Sequence, residues 1–236
     1  MDIETIKEYT KIYIDSLSYT KGSIFCDDTY KQYQLEKLSK LNSTKTIFSY
    51  LNVINKGNRF DFLNFLHKYN VITDQECADT LYSIWTMQER IYDCGMAKTK
   101  MIKFMKMAEK SLVLPDDIDK LSDDSVITIY RGVKENDYKG LSWTTDKNTA
   151  IWFAKRFSNG DCYVFTGQLK KKDIIAYFNN RDEAEIVCDY RKIKHISCEK
   201  VQLMDSEKDK CSIPTSIEIF DTNCVKKKEN ALKMVD

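Results

Sequence analysis

Proline and glycine are scarce in this chain: two and seven among 236 residues. That excludes a collagen-like or Pro/Gly-rich low-complexity protein, and it favours long ordered elements joined by few turns. Histidine is scarcer still, with only His67 and His195. No C-x-x-C pair occurs, although eight cysteines are scattered along the chain. Scattered thiols of this kind are expected to be small core residues. Cys188, His195 and Cys198 are the nearest approach to a ligand cluster. They lack zinc-finger spacing and a clear fourth ligand, so no metal is expected. Charge of one sign is also missing, since 37 basic residues face 36 acidic ones. A broadly basic nucleic-acid coat is thereby excluded, though a local patch is not. No apolar run is long enough to span a membrane, and the start "MDIETIKEYTK" has no signal-peptide pattern. The expectation is a soluble, cytoplasmic protein without a membrane partner.

Two textures divide the chain. Residues 1–115 read as a helical N-terminal region, with apolar residues at three- and four-residue steps in "TIFSYLNVI" and "RFDFLNFLHKY". Thr73-Asp74-Gln75-Glu76 has the capping-box pattern and precedes a long amphipathic run that Gly95 interrupts. Within that run Trp85, Met87, Ile91 and Met101 are expected in the core. Pro115 and "DDIDKLSDD" mark the change. Residues 116–236 then carry short β-type runs, "VITIY", "CYVFTGQL", "DIIAYF" and "AEIVC". The basic run "VKKKENALK" near the end reads as a solvated tail. The fold class expected is α+β, helices first and a sheet-rich region second.

Three pieces of the second region bear on chemistry. Tyr130-Arg131-Gly132 ends a strand, and an arginine beside a glycine suits holding a phosphate or a carboxylate. In "GLSWTTD" alternation puts Ser142 and Thr144 on one face and Trp143 on the other. Thr145 or Asp146 can cap the following helix, whose apolar side carries Ala150, Phe153, Ala154 and Phe157. In "RDEAEIVC" a strand would set Glu183 and Glu185 on one face, roughly 6.6 Å apart. Such a pair is equally compatible with an ordinary strand that has a solvated face.

The order Arg-Gly, Ser-x-Thr, Glu-x-Glu resembles the R-S-E class of ADP-ribosyltransferases. The likeness covers roughly residues 126–190 and includes an Ala-x-x-Phe pattern at Ala150–Phe153, with Arg156 three residues beyond. It departs from the family at Ser142-Trp143-Thr144, where Ser-Thr-Ser is usual. Only ten residues separate Arg131 from Ser142, so the helical elements that usually intervene in the family must be reduced or supplied elsewhere, with the N-terminal helices as a candidate supplier.

The resemblance implies a split β-sheet catalytic core and a mono-ADP-ribosyltransferase that uses NAD as substrate without a metal. Arg131 would hold the NAD phosphates or the nearby ribose, and Gly132 would present backbone to the nicotinamide amide. Ser142 would brace the catalytic Glu185, and Glu185 would contact the nicotinamide ribose. Phe153 would stack on the nicotinamide and Arg156 would reach the diphosphate. Glu183 would sit beside the nucleophile, with Arg181 and Phe178 facing the target. The partner would be a macromolecular acceptor, a protein (through arginine) or a nucleic acid. A bacterial or phage effector, such as a toxin with an antitoxin, would suit the composition. NAD glycohydrolysis and a non-catalytic binding module are the alternatives on the same fold.

Overall fold

The computed structural model of the chain describes residues 3–17, 28–41, 46–87, 96–108, 112–134, 137–156, 161–179 and 181–201. Gly95, Ile91, Phe157 and the basic C-terminal run lie outside the described residues.

Six helices come first: α1 (Ile3–Ser16), α2 (Asp28–Ser39), α3 (Ile47–Leu51), α4 (Arg59–Lys68), α5 (Asp74–Ile84) and α6 (Lys98–Met107). The start of α5 follows from its cap. The Thr73 side chain accepts from the Glu76 amide and Glu76 returns a bond to the Thr73 amide, so two otherwise orphaned donors are satisfied together. Buried Cys77, Ala78, Leu81 and Ile84 then recur at helical spacing and turn one face of α5 inward. After α5 a single 3-10 turn, Trp85–Met87, changes direction. Trp85 and Met101 are buried, as the sequence leads one to expect, but Met87 is 41% exposed because that turn swings it outward.

Pro115 caps the short α7 (Asp116–Asp119), and the sheet follows. Its strands are β1 (Val126–Val133), β2 (Ser142–Thr144), β3 (Cys162–Lys170), β4 (Ile174–Phe178), β5 (Glu185–Cys188) and β6 (Lys194–Val201), with α8 (Lys147–Arg156) between β2 and β3. They form one six-stranded sheet in the order β4-β5-β2-β1-β3-β6, and every pairing is antiparallel. The architecture is α+β. The edge strand β6 is mostly exposed, so its sequence lacks the apolar alternation that reveals the others.

Registered partners share a face of a sheet. Thr144 opposes Tyr130 on one side and Glu185 on the other, so these three share a face with Ser142 and Gly132. Arg131, Trp143 and Ile186 lie on the opposite face. That second face carries a core of its own, built on Ile127, Ile129, Trp143, Phe165 and Ile186. On the first face, Ala176, Phe178 and Val187 join the same core as α1–α6. The change from helix to strand near residue 115 therefore divides kinds of structure, while one core runs through both.

In this topology β5 and β6 stand four strand spacings apart, about 19 Å. Cys188 and Cys198 therefore do not form a cluster with each other. No helix among the described residues is long and apolar enough to cross a membrane.

Candidate functional site

The three motif segments, distant in sequence, become consecutive neighbours as β1, β2 and β5. At their junction stands Glu185, the first residue of β5, 8% exposed. Its carboxylate accepts a hydrogen bond from the Ser142 hydroxyl on β2. The Trp85 indole N–H donates a second, at 2.9 Å to Oε1. Burial pushes the Glu185 carboxyl above the ordinary glutamate range. The bonds from Ser142 and Trp85 oppose that rise, as does the more distant Arg181 charge, while Glu183 adds to it. On this face the N-terminal helices cover β4 and β5, and α8 covers β1 and β3. Glu185 and Ser142 lie between the two covers.

Arg131 occupies a different place from the one the motif suggests. It points to the face away from Glu185 and is 8% exposed. One guanidinium nitrogen donates to the Ser142 carbonyl. The group lies flat against Gly140, where an added Cβ would come within 2.0 Å of the Arg131 Cζ. Burial lowers its pKa to about 10, against the opposing pull of Asp137 above all, so it stays charged at neutral pH. Arg131 thus ties β1 to β2 from behind and is not turned toward a ligand beside Glu185. In series, Arg131 holds the Ser142 backbone and Ser142 holds the Glu185 carboxylate. Gly132 serves helix packing. A Cβ there would fall 1.8 Å from the Ala150 carbonyl oxygen and 2.6 Å from the Ala154 amide, so only glycine lets α8 settle on β1.

The sequence places Glu183 and Glu185 on one strand face, and the structure corrects this. β5 begins only at Glu185, and Glu183 belongs to the turn before it. Asp182 and Ala184 have φ of 54° and 44°, a left-handed conformation that breaks strand alternation. Side chains hold the turn in place. Asn179 Oδ1 accepts from the Ala184 amide at 3.1 Å, and the Thr144 hydroxyl donates to the Glu183 carbonyl at 2.7 Å. Arg181 and Glu183 form an ion pair at 2.9 Å, with the Arg181 side chain 44% exposed. Phe178, read from sequence as target-facing, is 7% exposed and packs on Tyr82 of α5 at 4.8 Å between centroids. Its register opposite Glu185 makes it core beneath the carboxylate.

Asp146 caps α8 by accepting from the amides of Asn148 and Thr149, which settles the choice between Thr145 and Asp146. Ala150 and Ala154 are fully buried against β1. Phe153 and Arg156 gather around Trp152, which is 52% exposed. The Phe153 ring meets it edge-on at 4.9 Å, and the Arg156 guanidinium lies over it at 4.8 Å. Neither Trp152 nor Trp85 is marked by any motif. Trp85 is a general core tryptophan in sequence, and its polar atom acquires a partner only through the fold. Among the described residues no group of three or more histidine, cysteine or carboxylate side chains is arranged to hold a metal.

Comparison of the chain with protein-family models, with curated proteins and with solved structures finds no match.

Proposed function

We propose that this protein cleaves the nicotinamide–ribose bond of NAD and transfers the ADP-ribose to a macromolecular acceptor. The observation that carries the reading is the buried Glu185 carboxylate, held by the Ser142 hydroxyl on β2, the strand next to β1, where Arg131 stands. The resemblance in sequence joins the same three residues. In the reaction the bond from ribose C1′ to the nicotinamide nitrogen breaks, its electron pair leaves with nicotinamide, and positive charge develops on the ribose. A carboxylate at about 4 Å and an effective dielectric near 20 stabilises that charge by roughly 4 kcal/mol. That is worth about a thousandfold in rate. The nicotinamide ring of NAD is itself cationic, so its arrival favours the ionised form of a carboxyl that burial has made reluctant to ionise.

Other residues take supporting parts in this reading. Glu183, in the turn beside Glu185, accepts the proton of the incoming nucleophile. Arg156 and the aromatic pair Trp152–Phe153 offer charge and ring surface on α8 for the dinucleotide. Arg131 contributes by fixing β2. A second reading, hydrolysis of NAD by water, is favoured by one observation: the Glu183 carboxylate is already engaged by Arg181.

Incubation of the purified protein with labelled NAD and cell lysate, followed by mass spectrometry, tests the proposal. Labelled macromolecule that disappears with Glu185→Gln is the expected result. Free ADP-ribose without labelled macromolecule selects hydrolysis. Absence of any NAD consumption leaves a non-catalytic module and overturns both.

A further inference from the structure

Where the N-terminal helices meet the sheet, Trp85 makes a polar contact across the boundary. This residue is 1% exposed and stacks on Phe60 of α4, with ring centroids 6.2 Å apart and planes 24° from parallel. An indole has one polar atom, a donor, and when buried it needs an acceptor. A backbone carbonyl would satisfy that need. Here the acceptor is Glu185 Oε1, at 2.9 Å, a hundred residues away in sequence. A donor that cannot accept bonds an ionised carboxylate more strongly than a neutral one.

We propose that Trp85 is a positioning residue for Glu185, fixing its rotamer and favouring its ionised form, so that the N-terminal helical layer is part of the active site. This rests on the reading of Glu185 as the catalytic carboxylate. The surroundings of Glu185 define the expected response. β2 brings the Ser142 hydroxyl, and β4 brings the apolar Phe178. The preceding turn brings Glu183 and Arg181, and Arg131 lies behind the sheet. Against the burial that disfavours the carboxylate, Trp85 and Ser142 are the direct donors among the described residues.

Trp85→Phe keeps the aromatic packing and removes the donor. Nicotinamide release should be measured against pH for the wild type, for Trp85→Phe and for Phe60→Leu, a packing control. The carboxyl of Glu185 should be titrated directly by infrared difference spectroscopy against Glu185→Gln. The expected result is an acid limb displaced to higher pH in Trp85→Phe. The rate should fall by about tenfold or more on the low-pH side and return to within about threefold on the plateau. Phe60→Leu should lower the unfolding temperature and leave the limb in place.

If Trp85→Phe does not fold, site-specific replacement of Trp85 by 3-benzothienylalanine keeps the bicyclic shape without the N–H. An unmoved limb, or an equal loss at every pH, overturns the proposal and leaves Trp85 a packing residue. Should the wild type release no nicotinamide at all, the functional reading fails. The infrared titration still decides the Trp85 contact: an unshifted carboxyl overturns it and an upward shift upholds it.

Discussion

Trp85 and Glu185 meet through a single hydrogen bond of 2.9 Å that joins the helical half of the chain to the sheet half. Both are buried, and the ring behind the bond is backed by Phe60. Around the carboxylate the apolar neighbours Phe178 and Val187 belong to the same core as the helices. The site is therefore no loop feature laid on a finished domain. It is an ionisable group placed where two layers of structure close, which raises the cost of ionising it and the effect of each donor that reaches it.

Glu185→Gln is the sharpest substitution, since it keeps the shape and removes the charge. Turnover should fall by at least about a hundredfold. Stability should behave in the opposite sense. Burial raises the Glu185 pKa in the folded protein above its ordinary 4.5. The folded state therefore holds the proton more tightly than the unfolded one, and wild-type stability falls as pH rises from about 4.5 through the folded value. The glutamine variant has no such loss. Thermal unfolding across pH should show it matching the wild type in acid and equalling or exceeding it at neutral pH. A variant less stable at neutral pH than in acid, relative to wild type, would contradict this.

Ser142 and Thr144 sit two apart on β2 with different duties. Ser142 donates to the Glu185 carboxylate, whereas Thr144 donates to the Glu183 carbonyl and accepts from the Asp146 amide at 3.0 Å. Ser142→Ala should cost about ten- to a hundredfold in NAD turnover, the worth of a bond to a charged group. Its unfolding temperature should change little. Thr144→Val should show the reverse, with stability lower by about 1–3 kcal/mol as buried polar groups of the turn lose their partner. Paired kinetic and calorimetric measurements separate the two.

Arg131→Ala tests the revised role of the motif arginine. With its guanidinium behind β2, against Gly140 and on the Ser142 carbonyl, its removal leaves a cavity and an unpaired acceptor. The expected loss is roughly 3 kcal/mol of stability, read by denaturant unfolding. The KM for NAD in the folded fraction should move by less than about threefold, since the interaction lost is not with substrate. A large KM increase in a protein of unchanged stability would return Arg131 to the phosphates.

Much of this fold was legible because local chemistry and final structure agree. The Thr73–Glu76 box starts α5, Asp146 starts α8, and the runs rich in β-branched and aromatic residues became β1, β3, β4 and β5. What escaped notice did so for physical reasons. β6 is an exposed edge with no apolar side to betray it. Alternation misplaces Glu183, because two left-handed residues at 182 and 184 interrupt the strand, and neither is a glycine that would announce the turn. It also leaves the face of Arg131 unread, since that follows from the register of β1 on β2. Trp85 reads as core from its spacing, but its bond to Glu185 goes unread, because nothing in a local window reports a partner a hundred residues away. The alternation of Ser142 and Thr144 against Trp143 was readable, and the positions of Arg131 and Glu183 relative to Glu185 were not.

The Arg181–Glu183 pair offers the test of transfer against hydrolysis. Exposed ion pairs contribute about 0–1 kcal/mol, so Arg181→Ala should leave the unfolding temperature nearly unchanged. It should, however, release the Glu183 carboxylate, whose Oε2 is engaged by Arg181 at 2.9 Å. If Glu183 receives the proton of the acceptor, Glu183→Gln should reduce labelled macromolecule by about tenfold or more while nicotinamide release falls far less. Arg181→Ala should in turn alter transfer without altering release. The two activities can be followed in one reaction, by counting label in precipitated macromolecule and free ADP-ribose in the supernatant. Equal loss of both in Glu183→Gln would mean that Glu183 acts on the sugar, or on Glu185 itself, and that acceptor activation lies with another group.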